Sequence, residues 1–337
     1  MTESNNGKEK KVIFSALKPT GDLTIGNYIG ALKNMVALTE DYDCYYAVAD
    51  LHSLTVENVP ADLRRRSYDF LAFFVAIGLD PDKCTLFLQS HVPAHAELAW
   101  VLNCYTLFGE ARRMTQFKDK SKKAPENVNV GLFAYPTLMA ADILLYQADL
   151  VPIGKDQQQH LELARNVAER FNGVHGNTFT VPEPYIPKIG GRIMSLAEPE
   201  KKMSKSDENQ NAFITILDPP EVIIRKFKRA VTDSDMEIRY AEGKDGINNL
   251  MSIYSVLTGD SYETIERDFS GKGYGDFKLA VGEVVAEALR PIRENYDRVM
   301  KDKAYLEEVY RAGAQKAGYT AEKTMRKVYR KVGFLAK

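Results

Sequence analysis

From Val12 to Gln89, short apolar runs alternate with amphipathic segments, and few folds accept that order. Val12 to Ala16 is an apolar run stopped by Lys18-Pro19-Thr20-Gly21, the pattern of a strand feeding a turn. Ile25, Tyr28, Ile29, Leu32 and Val36 then recur at helical spacing and form one apolar stripe. Cys44 to Ala49 is strand-like again and closes on Asp50-Leu51-His52. Leu63, Phe70, Leu71, Phe74 and Val75 mark a second helix, which stops near Gly78 with Pro81 shortly after. Thr85 to Gln89 reads as a third strand. This order predicts an α/β, Rossmann-like parallel sheet with right-handed crossovers and ligands gathered at the carboxyl ends of the strands.

Further on, Pro136 is placed to open a helix in its first turn, continued by Leu138 to Tyr146. Asp149 to Val151 reads as a fourth strand, and Asp156 as the acidic head of a helix running to Phe171. Past residue 195 the β signal fades, and helices follow around Pro220 to Val231, Gly246 to Leu257, Tyr262 to Phe269 and Phe277 to Lys301. The shift predicts a disordered lead (1–11), a Rossmann-like catalytic domain (12–195), a loop with a smaller all-helical domain (196–300) and C-terminal helices (301–337). In the last of these, Met325, Val328, Tyr329 and Val332 form an apolar stripe between Thr320 and Lys331, with Arg326, Lys327, Arg330 and Lys331 on the other side.

With 45% hydrophobic and 27% charged residues among 337, the chain has the makings of a soluble globular protein with ample core. No apolar run approaches the roughly 18 residues of a membrane span. The polar start, with Lys8, Lys10 and Lys11, lacks the apolar stretch of a signal peptide, so cytoplasm is the expected location. Cys44, Cys84 and Cys104 sit in apolar segments without CxxC spacing and are expected to be packed, reduced thiols. The five histidines form no local zinc motif, and no metal held by the protein itself is expected. A net charge of −1 gives no long-range pull toward nucleic acid. Any such grip must come from local patches: Lys118, Lys120, Lys122 and Lys123 in one loop, Arg225, Lys226, Lys228 and Arg229 in a second place, and the last helix.

Two distant segments suit one triphosphate. Thr24-Ile25-Gly26-Asn27 follows a strand and a Pro/Gly turn, where unpaired N–H groups and the positive end of a helix face a bound anion. Gly26 has no Cβ to keep a flat base or sugar at a distance. Thr24 and Asn27 add neutral donors, although the same four residues also describe an ordinary helix cap. Lys202-Met203-Ser204-Lys205-Ser206 supplies two flexible ammonium groups and two hydroxyls, suited to oxygens that move as a bond breaks. Together, on an α/β pattern, the two point to an enzyme that activates a carboxylic acid with ATP.

Thr24 to Asn27 matches the HIGH signature and Lys202 to Ser206 matches KMSKS without change, and in both the chain resembles the class I aminoacyl-tRNA synthetases. It is similar, over nearly its whole length, to their bacterial tryptophanyl branch, on Ser15 to Leu32, Leu86 to Ser121, Gly131 to His160, Met194 to Asp207 and Lys228 to Asp235. The resemblance implies that Asp142 accepts the indole N–H of L-tryptophan, walled by Met139 and Ile153. It implies that Tyr135 and Gln157 hold the α-amino group while His52 and Phe14 line the pocket. Gly154 and Asp156 would meet adenosine, with Gln157 beside them. Lys120, near Gln116, and the motif residues Lys202, Met203, Ser204, Lys205 and Ser206 would meet the phosphates of ATP and its Mg2+. Tryptophanyl-AMP would form, and the 2′-hydroxyl of the terminal adenosine of tRNA(Trp) would take the amino acid, on a homodimer. Three departures fall beside the nucleotide: Lys18 in place of a common Gln, Leu51 within Asp50-Leu51-His52, and Lys155 in Gly154-Lys155-Asp156-Gln157. Two alternatives remain at this point: a tyrosyl-tRNA synthetase, and a non-charging or auxiliary paralogue that binds tryptophan or RNA as a regulator.

Overall fold

A computed structural model describes residues 10–123, 126, 128–154, 157–186, 192–205 and 207–335. Among them, five strands form one sheet: β1 (Val12–Leu17), β2 (Asp43–Val48), β3 (Thr85–Leu88), β4 (Leu150–Pro152) and β5 (Glu183–Tyr185). Their order is β3-β2-β1-β4-β5 and every pairing is parallel, with Ile13 opposite Cys44 on one side and Leu150 on the other. The strand order reverses between β1 and β4, which opens a crevice at their carboxyl ends.

Why the central strands are mostly apolar follows from the two cores. Ile13, Cys44, Tyr46, Val48, Leu86 and Leu88 point to one face, and Phe14, Tyr45, Ala47 and Phe87 to the other. Side chains alternate along a strand, so a sheet covered on both faces leaves few positions for polar groups, Ser15 and Thr85 among them. Tyr46 and Phe87 are fully buried on opposite faces. Each such burial contributes about 1.5–3 kcal/mol.

The helices are α1 (Ile25–Asn27), α2 (Lys33–Asp41), α3 (Pro60–Ala76), α4 (Ala94–Asn103), α5 (Phe108–Arg113), α6 (Thr115–Lys123), α7 (Val130–Leu144) and α8 (Gln158–His175), then α9 (Pro220–Lys228), α10 (Asp245–Thr258), α11 (Tyr262–Asp268), α12 (Tyr274–Lys301) and α13 (Lys303–Val332). Helix α12 packs on α9, α3 and α10, so the apolar residues of the C-terminal half extend the core on the Ile13 face. Helix α13 returns to the sheet and packs on β3 and α4. Its Gly313 lies so close that an added Cβ would stand 1.8 Å from the Leu86 carbonyl oxygen.

Several expectations need correction. Pro136 lies inside α7 and does not open it. Asn129 is the cap, accepting the Leu132 N–H at 2.8 Å, and apolar burial holds the helix together through the proline. The lysines at 118, 120, 122 and 123 belong to helix α6, not to a loop. Lys226 is no part of an open basic patch: it is buried, 2.7 Å from Asp218. Cys44 and Cys84 are packed as expected, but Cys104 is exposed just past the end of α4. The stretch from Thr320 to Lys331 is the end of a 30-residue helix.

Candidate active site

The turn after β1 and the lysine-serine segment meet directly. Gly21 has a φ of +60°, and a Cβ there would stand 2.7 Å from Lys205 Cδ and 3.1 Å from its Nζ. Only a glycine lets the lysine stem lie across this turn. Main-chain bonds fix the approach: Ile25 N–H donates to the Ile214 carbonyl at 3.0 Å, and Ile216 N–H to that of Leu23 at 2.9 Å. Met203 N–H donates to the Ile193 carbonyl at 3.1 Å and its side chain is buried, while Lys202, Ser204 and Lys205 are exposed. Loss of water around the Lys205 ammonium, with Arg66 adding its charge, pulls its pKa below the ordinary lysine range even though much of the side chain meets solvent.

Thr24 and Asn27 cap each other. Thr24 Oγ1 accepts the Asn27 N–H at 3.3 Å, and Asn27 Oδ1 accepts the Thr24 N–H at 2.9 Å. A backbone N–H can only donate, so the oxygen of the Asn27 amide is the atom turned inward, and its NH2 is left on the exposed side. Gly26 faces Ile193, whose Cβ is 3.6 Å from the place of a Cβ at 26.

A cavity of about 350 Å³ opens at the carboxyl ends of β1, β2 and β4. Phe14 and Lys18 enter from β1 and its exit, His52 from the turn after β2, and Tyr135, Met139 and Asp142 from α7. Ile153 follows β4, and Gln157 and Gln116 complete the wall. All seven residues expected to hold the amino acid therefore line one space, together with Lys18. The Lys18 ammonium lies 3.4 Å from Thr55 Oγ1 at this wall. Tyr135 O–H is 2.6 Å from His160 Nε2 and 3.3 Å from Gln116 Oε1, and burial pushes its pKa up to about 12.

Asp142 is the electrostatic centre, 2% exposed on α7. Its Oδ2 is 2.8 Å from His52 Nε2, and its Oδ1 is 2.6 Å from His95 Nδ1 and accepts from Gln89 Nε2 at 2.7 Å. Burial alone would raise its pKa, but the bonds from His52 and His95 outweigh that and hold the carboxyl well below the usual range. It is a carboxylate, able only to accept.

Gly154 is exposed just past β4, its carbonyl accepting the Gln157 N–H at 3.0 Å. Lys155, Asp156 and Ser206 lie outside the described residues, as does the side chain of Lys120, whose backbone belongs to α6. Lys205 lies against the turn at Gly21, while Thr24, Gly26, Asn27 and the residues from Lys202 to Lys205 are not among those lining the cavity. Among the described residues, no three His, Cys, Asp or Glu side chains converge as metal ligands.

A sequence model of the family described as tRNA synthetases class I (W and Y) matches residues 5–290. The chain belongs to this family of class I tRNA synthetases. It is 55% identical over 331 residues to the tryptophan--tRNA ligase of Clostridium tetani, covering 98% of each sequence. Among solved structures it resembles the tryptophanyl-tRNA synthetase of Mycoplasma pneumoniae, at 35% identity and a TM-score of 0.88, with 97% of this chain and 98% of that one covered. It also resembles the Campylobacter jejuni tryptophanyl-tRNA synthetase complexed with ADP and tryptophan, at 33% identity and a TM-score of 0.83, covering 96% and 100%.

Against this class I synthetase background, sequence reasoning passed over Gln89, His95 and Tyr146. Gln89 joins two parts of the site: its Oε1 accepts the Leu51 N–H at 3.1 Å while its amide N–H serves Asp142. Because only the main chain of Leu51 takes part, the departure at that position leaves the bond intact. Nothing local in Ala94–Asn103, which also carries Glu97 and Asn103, singles out His95; its full burial, which demands a partner, emerges only in the fold.

Proposed function

We propose that this class I synthetase is a tryptophan--tRNA ligase that joins L-tryptophan to ATP and then to tRNA(Trp). The observation that carries the reading is the buried Asp142 carboxylate on the wall of a cavity sized for one aromatic amino acid. Its oxygens already accept from His52, His95 and Gln89, and the acceptor position still open on Oδ2 is suited to a ligand N–H donor. Met139 and Ile153 flank the ring, and Tyr135 and Gln157 take the α-amino group.

The tryptophan carboxylate attacks the α-phosphorus, the bond to the leaving oxygen breaks, and pyrophosphate departs as tryptophanyl-AMP forms. The 2′-hydroxyl of the terminal adenosine then attacks the mixed anhydride, which releases AMP. No protein nucleophile takes part, so alignment and charge stabilisation account for the rate. Lys202 and Lys205 meet the charge that builds on the leaving phosphates, and Lys18 approaches the α-phosphate from the amino-acid side. Thr24, Gly26 and Asn27 meet the nucleotide at the helix mouth, and Gly154 and Asp156 meet the adenosine. Magnesium in this reading travels on the phosphates of ATP and supplies charge neutralisation there.

The segment 196–300 and α13 form the tRNA-facing part of the molecule, packed against the catalytic part at 12–195 through α12 on α3 and α13 on β3. Arg225, Lys228, Arg229, Arg326, Lys327 and Arg330 are exposed. Lys331 is engaged instead, its ammonium 2.6 Å from the His175 carbonyl oxygen. The assembly is a homodimer located in the cytoplasm; among the described residues no helix is long and apolar enough to cross a membrane. Neither the tyrosyl alternative nor a non-charging paralogue gains support from the site. Pyrophosphate exchange with tryptophan and with tyrosine, followed by charging of tRNA(Trp), tests the reading. Exchange with tyrosine alone, or binding without exchange, would sink it.

A further inference from the structure

The carboxylate of Asp142 offers about four acceptor positions. Three are filled: two on Oδ1 by His95 Nδ1 and Gln89 Nε2, and one on Oδ2 by His52 Nε2. The open position is on Oδ2, and Asp142 borders the cavity. His95 is fully buried on α4 and does not line that space. Its other nitrogen, Nε2, lies 2.8 Å from the hydroxyl of Tyr146. The Tyr146 ring is itself held in place, stacked at 4.7 Å on Tyr45 and 5.5 Å on Phe14, with Phe87 edge-on at 5.7 Å.

We propose that His95 is a positioning residue for side-chain selection: held by Tyr146, it fixes the Asp142 carboxylate so that its one open acceptor position faces the cavity and selects a ring N–H. This rests on the reading of Asp142 as the partner of the indole.

The proton pattern supports the role. A carboxylate can only accept, so Nδ1 of His95 carries a hydrogen and donates. Nε2 is then free to accept from the Tyr146 hydroxyl, which has no other hydrogen-bond partner among the described residues. With this tautomer every polar atom in the row is matched, a condition buried networks need in order to rigidify a site. Without His95, Oδ1 keeps only Gln89, the carboxyl group can rotate, and the orientation of Oδ2 toward the ligand is lost. The effect belongs to N–H recognition and not to cavity volume, because His95 forms no part of the cavity wall.

The test compares kcat/KM in pyrophosphate exchange for tryptophan and for its isostere with sulfur in place of the ring N–H. The wild-type enzyme should favour tryptophan by at least about tenfold. His95→Gln, whose amide falls at the Nε2 end, should lower that ratio by roughly tenfold and raise the KM for tryptophan, with the KM for ATP unchanged. His95→Asn places an amide N–H where Nδ1 was but loses the Tyr146 partner, and should restore part of the ratio. A wild-type ratio in His95→Gln, or equal loss in both variants, overturns the proposal. Should the Gln variant fail to fold, Tyr146→Phe decides: the ratio must fall when Nε2 loses its partner, and an unchanged ratio overturns the proposal. A wild-type ratio near one, or an Asp142→Asn enzyme that keeps the full ratio, instead refutes the reading of Asp142. If Asp142→Asn collapses the ratio while the His95 variants keep it, this inference alone is lost.

Discussion

Lys205 shows how one side chain joins two halves of a site. Its stem crosses Gly21, so its ammonium is delivered to the turn that ends β1. Lys205→Ala should reduce pyrophosphate exchange by roughly 10²–10³-fold, as expected when a transition-state cation is removed. Tryptophan affinity should be unchanged, because Lys205 does not line the amino-acid cavity. Exchange at the wild-type rate would show that the lysine does not serve the phosphates. A second expectation concerns the thiols. Burial pushes Cys44 up to about 11 and Cys84 up to about 12, so both stay protonated at pH 8, while Cys104 is exposed. A thiol reagent should modify one cysteine rapidly at pH 8 and the other two only on unfolding; three fast equivalents would contradict the packing. The sign for stability follows: raised native pKa values leave stability intact below about 8.5, the ordinary thiol value, and erode it as pH rises above that.

Among the elements, α13 is the one whose placement depends most on a single position. Gly313 lets the helix backbone reach β3, and an added methyl would overlap the Leu86 carbonyl. Gly313→Ala should cost roughly 1–3 kcal/mol, the range for overpacking, despite the better helix propensity of alanine. Denaturant unfolding measures it, and an unchanged or raised midpoint would mean that the helix sits farther from the strand than the geometry requires. That approach was invisible in the sequence, since the Thr320 to Lys331 stripe reveals a buried face but not its partner. The parallel strands were legible, since continuous apolar runs bounded by turns describe strands covered on both faces. Strand β5 was not: Pro184 sits in its middle, and only an edge position tolerates that. Helix α7 was misplaced at its start for a related reason, because local rules put Pro136 at an end while burial of Leu132, Ala140 and Ile143 carries the helix through it. In the site, the motif segments could be found from local chemistry, whereas Asp142 came only through the resemblance to the family. The network of Gln89, His95 and Tyr146 could be found from neither, because its members become neighbours only when three elements converge.

For the whole molecule, near-neutral charge means that affinity for tRNA must come from a few exposed cations. Replacing Arg326, Lys327 and Arg330 with Gln should weaken tRNA binding and flatten its salt dependence. The log–log slope should fall by roughly 0.7–0.9 for each phosphate that is no longer neutralised, leaving pyrophosphate exchange untouched. Wild-type binding and slope would remove α13 from the tRNA path. The same scale accounts for the apolar surface. Trp100 is 71% exposed, Phe108 69% and Val130 81%, with Leu107 beside Phe108. They fall on α4, on α5 and at the start of α7, elements that pack on one another next to the cavity. Large exposed apolar side chains gathered in one region mark an interface, and a tryptophan is the residue most often found at the energetic centre of one. The homodimer proposed above is therefore expected to make its contact here. Trp100→Glu would put a charge into a surface that must lose its water, so sedimentation should show the wild type at twice the chain mass and the variant at the chain mass. Because Trp100 lies on helix α4, which also carries His95, the variant should also lose tryptophan affinity more than ATP affinity. A variant that stays dimeric removes this face from the interface, and a monomer with full tryptophan affinity separates assembly from the pocket.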